Sequence, residues 1–228
     1  MSLNLHLIIL GASCAIIYLI CFIGKKGKKN GCINNYSNLI GYTTLALYFI
    51  YNVYYFLPEN FKWSKSLPLQ PCDIIALIAG LSMIFPKKIF SSILYFSGLG
   101  ITTQAFITPI GNQDPTLVRF WLFWGIHVCI ISCAFYDLFV RNYKPSFSDF
   151  KLNILIIILY FLIIVPINVY FEWNYGFLGN QSTKETTLLT FLGEWPQRIL
   201  WIILICLSMQ TLLLFPWIFF NKVKNKNE

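Results

Sequence analysis

Two side chains with reactive chemistry, Cys72 and His127, lie within long apolar segments of the chain. A cysteine thiol becomes a nucleophile when a base within hydrogen-bond reach removes its proton. An imidazole titrates near neutrality and can act as base, acid or proton relay, and His127 is one of only 2 histidines. Asp73, next to the thiol, disfavours the thiolate unless a nearby cation offsets its charge. The residues alone leave open whether folding brings Cys72 and His127 together.

Further polar side chains interrupt the apolar segments or follow them directly. A polar group within a membrane span needs a partner or a water-filled cavity, because lipid cannot satisfy it. A shared cavity that opens to the outside would satisfy these groups together, and hydrogen bonds between helices are the alternative interpretation. Asp137 is explained by an ion pair with Arg141, one helical turn further on. We expect a substrate-binding set made of Asp73, Gln104, Asn168, Glu172, Asn174 and Gln210.

The elements that must position these residues are apolar helices. The chain of 228 residues is 57% hydrophobic and 11% charged, whereas soluble domains carry about 25% charged residues. A helix needs about 20 apolar residues to cross a bilayer. The pattern predicts an all-α, polytopic integral membrane bundle of seven transmembrane helices in a single domain, residues 1–228. The predicted spans are 5–23, 39–57, 67–85, 89–110, 117–140, 152–171 and 198–220.

The positions of the basic residues predict the orientation. The net charge is +8, but the charges form short clusters between apolar segments, which argues against nucleic-acid binding. With the N-terminus outside, 12 of the 17 basic residues fall on the inner side. Positive charge concentrates on the cytoplasmic side of membrane proteins. We therefore expect a multi-pass protein of the cell membrane with its N-terminus outside and its C-terminus in the cytoplasm. The lysines at 25–29 also suit binding of anionic lipid.

Several common site types are not encoded in this sequence. The 7 cysteines include no CxxC pair and no spacing with histidine that is typical of a metal site. There is also no P-loop and no HExxH motif. We therefore expect no metal, no cofactor and no disulfide framework, and we expect membrane lipids to be the partners.

Several short motifs together resemble a known family. They are 67–69 followed by Cys72, then 120–127, 166–168, 174–178 and 192–196. In this order they resemble the YwaF-like family of bacterial membrane proteins, which is related to eukaryotic transmembrane protein 164. The resemblance covers about residues 67–220. It implies an all-helical membrane bundle and, from the eukaryotic relative, acyl transfer between lipids by a cysteine nucleophile and a histidine. Cys72 and His127 match those two positions, whereas Gln70 stands where the family usually has histidine.

Three functional hypotheses follow. The first is a lipid acyltransferase or lipid hydrolase with Cys72 as nucleophile and His127 as base. In this hypothesis Gln104 and Asn168 donate hydrogen bonds to the developing oxyanion. The second is a transporter or ligand-sensing protein with a polar pocket that opens outward. The third is a structural role in which the polar side chains only hold the helices together.

Overall fold

The computed structural model describes residues 2–108, 114–181 and 192–224, with side chains as far as Phe219. All regular secondary structure in these ranges is helical. The helices are α1 (Leu3–Lys29), α2 (Ile33–Phe56), α3 (Trp63–Ser66), α4 (Pro71–Ile84), α5 (Lys88–Ile107), α6 (Val118–Phe139), α7 (Phe147–Phe171) and α8 (Gln197–Lys224). Residues Leu94–Thr102 of α5 form a π-helical segment. The all-α prediction is therefore confirmed.

Five helices of the described residues are long and apolar enough to cross a membrane: α1, α5, α6, α7 and α8. The other two predicted spans correspond to α2 and α4. Helix α2 has 24 residues, but its asparagines and tyrosines lower its hydropathy. Helix α4 has 14 residues, about 21 Å at 1.5 Å per residue, against a hydrocarbon thickness of about 30 Å. A multi-pass membrane protein is supported, with five candidate spans.

The predicted third span, residues 67–85, is helical only from Pro71 onward, which corrects its boundary. Proline is favoured as the first residue of a helix because it has no N–H to leave unpaired. It also disfavours helical backbone at the residue before it. Gln70 is accordingly extended, with φ −67° and ψ 146°. Residues 67–70 therefore form a connection and not a turn of helix.

Helix α4 packs closely against α2 and lies against α5 and α6 in the main core. Small residues let the backbones of α2 and α4 approach, as is common between membrane helices. A Cβ atom added at Gly41 of α2 would lie 2.9 Å from the carbonyl oxygen of Gly80 on α4. The buried face of α4 consists mainly of small and aliphatic residues, including Ile75, Ala76 and Ala79. Cys72 lies near the start of the same helix, at the edge of this core.

Hydrogen bonds define which helix ends lie together. Lys28 Nζ, at the end of α1, donates to the carbonyl oxygen of Val140, just after α6, at 2.6 Å. Tyr136 of α6 donates to the carbonyl oxygen of Ile33, at the start of α2, at 3.5 Å. We call this the basic end of the bundle. The opposite end includes the start of α1.

A buried ion pair joins α4, α5 and α6 at the basic end. Arg141 Nη1 lies 2.8 Å from Asp137 Oδ1, which confirms the predicted pair. Arg141 also donates to the carbonyl oxygens of Ser82 and Met83, the last turn of α4, at 2.8 and 2.6 Å. Asp137 Oδ2 accepts from Ser82 Oγ at 3.0 Å and from Ser91 Oγ of α5 at 2.6 Å. We call these five residues the Asp137 cluster.

A second polar seam joins α5 to α7 and was not predicted from the sequence. Asn153 of α7 is fully buried. Its Nδ2 donates to Ser92 Oγ at 2.8 Å, and its Oδ1 accepts from Ser97 Oγ at 3.1 Å. Lys88, the first residue of α5, lies 3.3 Å from Asp149 near the start of α7. The ends of α4 and α6 and the starts of α5 and α7 therefore meet at the basic end, so consecutive helices of the bundle alternate in direction.

Candidate functional site

Cys72 is the second residue of α4 and lies partly buried at the edge of the main core. Helix α7 and the loop that follows it anchor the segment that leads to Cys72. Tyr160 of α7 donates to the carbonyl oxygen of Leu69 at 2.9 Å, and Gln70 Oε1 accepts from the backbone N–H of Gly176 at 2.9 Å. These contacts hold the first turn of α4, and with it the Cys72 thiol, in place.

Asp73 is buried and acts as a helix cap. Its Oδ2 accepts from the backbone N–H of Gln70 at 3.1 Å, the pattern of a carboxylate in the first turn of a helix. The prediction that Asp73 binds substrate remains a prediction, since its known contact is within the chain. The cap also aligns the first turn of α4, and this turn carries Cys72.

A contact among three helices establishes a reference depth in the core. A Cβ atom added at Gly98 of α5 would lie 3.7 Å from Ile75 Cγ2 on α4 and 3.5 Å from Ile130 Cγ2 on α6. These three residues therefore lie at the same height in the bundle. Helix α5 is antiparallel to α4 and α6. Toward the end of the bundle away from the basic end, residue numbers therefore decrease along α4 and α6 and increase along α5.

We infer that Cys72 on α4, His127 on α6 and Thr102 on α5 have similar depths, about one helical turn from this contact. Cys72 and His127 are each three residues from their reference residue and so stay on nearly the same helix face, and Thr102 is four residues from Gly98 in the π-helical segment. The Thr102 hydroxyl lies near the Cys72 thiol. The two do not meet hydrogen-bond geometry, and Thr102 Oγ1 has no partner among the described residues. We call these three residues the thiol layer.

His127 is held in one tautomer. Its Nδ1 lies 2.7 Å from the carbonyl oxygen of Phe123 on the same helix, and a carbonyl oxygen only accepts, so Nδ1 carries the proton. The lone pair is then on Nε2, the nitrogen a base would use. The imidazole is 5% exposed and packs on the Phe123 ring at 4.2 Å. Within residues 2–108 and 114–181, no hydrogen bond joins His127 to Cys72.

Tyrosine side chains surround this region and were not singled out from the sequence. Tyr51 of α2 and Tyr160 of α7 both lie within electrostatic range of Cys72 and Asp73. Tyr51 and Tyr55 have ring centroids 4.9 Å apart. The aromatic richness of the second apolar segment was the available signal. The phenols give the start of α4 a polar lining inside an apolar bundle.

Gln210 of α8 is fully buried, and neither its Oε1 nor its Nε2 has a partner among the described residues. A Cβ atom added at Gly100 of α5 would lie 4.0 Å from Met209 and 3.4 Å from Leu213. Gln210 therefore lies near the height of Thr102, two residues beyond Gly100. Since buried polar groups normally have partners, an unpaired amide at this depth is informative.

Asn168, near the end of α7, is buried, and its amide pairs with the backbone of the following loop. Asn168 Nδ2 donates to the carbonyl oxygen of Tyr175, and the N–H of Tyr175 donates to Asn168 Oδ1, both at 2.8 Å. Asn174 Oδ1 accepts from the N–H of Gly179 at 2.9 Å. Glu172 is exposed and ends α7 with a positive φ of 57°. These contacts support loop-building roles, and substrate binding by these residues stays a prediction.

Arg198, at the start of α8, has a structural role that was not predicted from the sequence. Its side chain is buried. Arg198 donates to the carbonyl oxygen of Phe177 at 3.1 Å and to that of Gly179. It therefore ties the start of α8 to the loop that anchors Gln70.

Gln104, the remaining predicted residue, is half-buried on α5, two residues beyond Thr102.

Metal ligation has no candidate here: the described side chains include no group of three or more His, Cys, Asp or Glu that could hold an ion. The five helices that are long and apolar enough to cross a membrane define the class of multi-pass membrane proteins. More specifically, the chain belongs to the TMEM164 family, which it matches over residues 1–215. The relation to transmembrane protein 164 is therefore confirmed, whereas the YwaF-like relation stays a prediction. No curated protein and no solved structure matches the chain.

Proposed function

We propose that the chain is a membrane-embedded acyltransferase or lipid hydrolase that uses Cys72 as nucleophile and His127 as base. The contact of Gly98 with Ile75 and Ile130 supports the proposal, because it leads us to infer that Cys72 and His127, one helical turn further on, have similar depths on neighbouring helices. Membership of the TMEM164 family supports it independently. Cys72 lies at the edge of the core and not in its centre, so a lipid ester has the shortest path to it from the bundle surface. Burial of His127 keeps its lone pair away from bulk water.

The reaction has two balanced half-steps. His127 Nε2 takes the proton of the Cys72 thiol, directly or through one water molecule, and the sulfur attacks the ester carbonyl carbon of a lipid. The C–O bond breaks, His127 returns the proton to the departing alkoxide, and a thioester remains on Cys72. A second lipid alcohol, or water, then gives its proton to His127 and attacks the thioester carbonyl. The C–S bond breaks, and Cys72 Sγ regains the proton from His127.

Stabilisation of the developing oxyanion needs donors that are not already engaged. Gln210 and Thr102 fit this need best, because their side chains are buried without partners at the same depth. Gln104 keeps its predicted place as a further donor. Asn168 fits less well, because its amide already makes two hydrogen bonds to Tyr175.

A route for the acyl chain lies between α7 and α8. A groove of about 520 Å³ is lined almost entirely by apolar side chains, including Phe161, Val165 and Cys206. These three residues pack against the same small buried cluster as Leu69, which is three residues before Cys72. Ligand sites of this size with apolar walls are typical of small-molecule pockets. An acyl chain in this groove would bring its ester toward the thiol layer.

The proposal includes the orientation of the bundle. We place seven helices across the cell membrane, the five apolar candidates together with α2 and the short α4. Half of α4 is buried against α2, α5 and α6, whereas α2 also exposes apolar side chains such as Leu39, Phe49 and Val53. The basic end faces the cytoplasm, and the opposite end faces outward. The N-terminus is at the outward end, and the thiol layer lies closer to that end than to the basic end. This placement follows from the distribution of basic residues. The acyl ester would then come from the outer leaflet.

Lipid profiling of variants tests the proposal. We expect Cys72→Ala, Cys72→Ser and His127→Ala to abolish the change in phospholipid acyl composition that expression of the wild-type chain causes. Cys129→Ala is the matched control, because Cys129 is another partly buried cysteine, on α6. Expression without any change in the lipid profile, or full activity of the Cys72 variants, would overturn the proposal.

The alternative is a transporter or ligand-sensing protein, and the unpaired atoms of Gln210 and Thr102 favour it as a second candidate. A small polar solute would pair with them in place of a lipid ester. A soluble ligand that raises the melting temperature of the purified chain, together with no reaction of Cys72 with acyl probes, would favour this alternative.

A further inference from the structure

A second groove lies at the basic end, on the seam between α1 and α6 and away from Cys72. It has a volume of about 400 Å³ and is lined by Ile17, Cys21, Phe22, Phe135 and Phe139, with Lys25 among its lining residues. Each helix contributes a stacked aromatic pair to its walls. The ring centroids of Tyr18 and Phe22 are 6.3 Å apart, and those of Phe135 and Phe139 are 5.6 Å apart.

Charge and depth distinguish this groove from an ordinary apolar seam. Lys25 Nζ lies 5.8 Å from the ring centroid of Phe139, at the end of the groove nearest the basic end. Lys26 and Lys29 are exposed on the same turns of α1, whereas Lys28 is engaged by Val140. The residues that line the groove include no acidic side chain, and Asp137 is committed to Arg141.

We propose that this groove binds one anionic phospholipid of the inner leaflet, with an acyl chain between the aromatic walls and the phosphate on Lys25. An apolar slot that ends in a cation matches the two parts of such a lipid. A zwitterionic lipid would place its own cation beside Lys25, Lys26 and Lys29 and lose the attraction. The site is independent of acyl transfer, because its lining residues are on α1 and the inner half of α6.

Thermal melting of the purified full chain in neutral detergent tests this site. Phosphatidylglycerol should raise the melting temperature more than phosphatidylcholine does. Lys25→Gln should weaken binding of phosphatidylglycerol about fivefold, given about 1 kcal/mol for each basic residue near anionic lipid. Lys151→Gln is the matched control, because Lys151 Nζ lies 5.4 Å from the ring centroid of Phe147 but does not line this groove.

Cross-linking keeps the test independent of stability. Phosphatidylglycerol with a photoreactive acyl chain should label peptides that contain residues 17–25 and 135–139, and Cys21→Trp, which fills the groove, should remove that label. Equal stabilisation by both lipids would overturn the proposal, as would equal effects of Lys25→Gln and Lys151→Gln. Labelling elsewhere on the chain, or self-association through this seam, would also overturn it.

Discussion

The environment of Gln210 gives the clearest test of whether a buried polar side chain binds substrate or only holds helices together. A buried amide that holds helices together should have hydrogen-bond partners, and its loss would cost stability. The amide of Gln210 is fully buried with neither atom paired among the described residues. Such a group is itself destabilising by about 1–3 kcal/mol. It is therefore expected where a substrate supplies the missing partner.

We predict that Gln210→Leu raises the stability of the chain by about 1 kcal/mol or more while it lowers acyl-transfer activity. Asn168→Leu is the contrast, because it removes two satisfied hydrogen bonds to Tyr175 and should destabilise by about 1–3 kcal/mol. Thermal melting and lipid turnover of both variants measure the difference. A loss of stability in Gln210→Leu comparable to that in Asn168→Leu would mean that Gln210 only packs helices.

At the residue scale, the sequence predicted some of the buried polar groups, such as Asp73, Asn168 and Gln210, but missed Asn153 and did not predict what any of them contacts. Their positions within apolar segments singled out Asn168 and Gln210 equally. The path of the 172–179 loop brings Tyr175 to the amide of Asn168, whereas no described residue pairs with the amide of Gln210. Asp73 is similar. Its place beside Cys72 suggested electrostatic opposition to a thiolate, whereas its contact with the Gln70 N–H depends on where the helix begins.

Among the elements, α4 has the most constrained position, because α2 approaches it through two glycines. A Cβ atom at Gly41 would lie 2.7 Å from Ile84 Cγ1 and 2.9 Å from Gly80 O. The backbone oxygen cannot move aside as a flexible side chain can. The position of α4 in turn determines the position of the Cys72 thiol.

We predict that Gly41→Ala destabilises the chain by about 1–3 kcal/mol, the usual effect of forcing extra volume into a packed core. Gly11→Ala is the matched control. An added Cβ at Gly11 of α1 meets nothing within 4 Å, and alanine favours helix by about 0.5–1 kcal/mol over glycine. Thermal melting compares the two, and equal melting temperatures would contradict the proposed close contact between α2 and α4.

The apolar segments predicted the existence and order of the long helices well, because a run of apolar residues has one stable form in lipid. Their ends were predicted less well. Capping, as at Ser146 before α7, and proline, as at Pro71, decide helix starts, and neither changes hydropathy. The π-helical segment Leu94–Thr102 had no recognised signal, yet it carries Gly98 and Thr102.

For the molecule as a whole, the Asp137 cluster joins three helices at the end away from the thiol layer. The carboxylate is 1% exposed and pairs with Arg141 at 2.8 Å. Removal of one member of a buried pair leaves an uncompensated charge and costs about 3–5 kcal/mol. The cluster should therefore control whether α4, α5 and α6 assemble correctly.

We predict that Arg141→Met destabilises the chain by about 3 kcal/mol or more, and that the double variant Asp137→Asn with Arg141→Met recovers part of this loss. Thermal melting of the single and double variants measures the recovery. Additive losses in the double variant would contradict a buried charge pair as the origin of the effect.

The most direct test of the central claim is mass spectrometry of the peptide that contains Cys72, after the full chain has been incubated in phospholipid vesicles. Acyl transfer through Cys72 predicts a hydroxylamine-sensitive acyl group on this cysteine and none on Cys129. His127→Ala should greatly reduce the modification. If the chain changes the lipid profile while Cys72 stays unmodified, Cys72 is not the nucleophile. If His127→Ala acylates Cys72 as fully as the wild-type chain does, His127 is not the base.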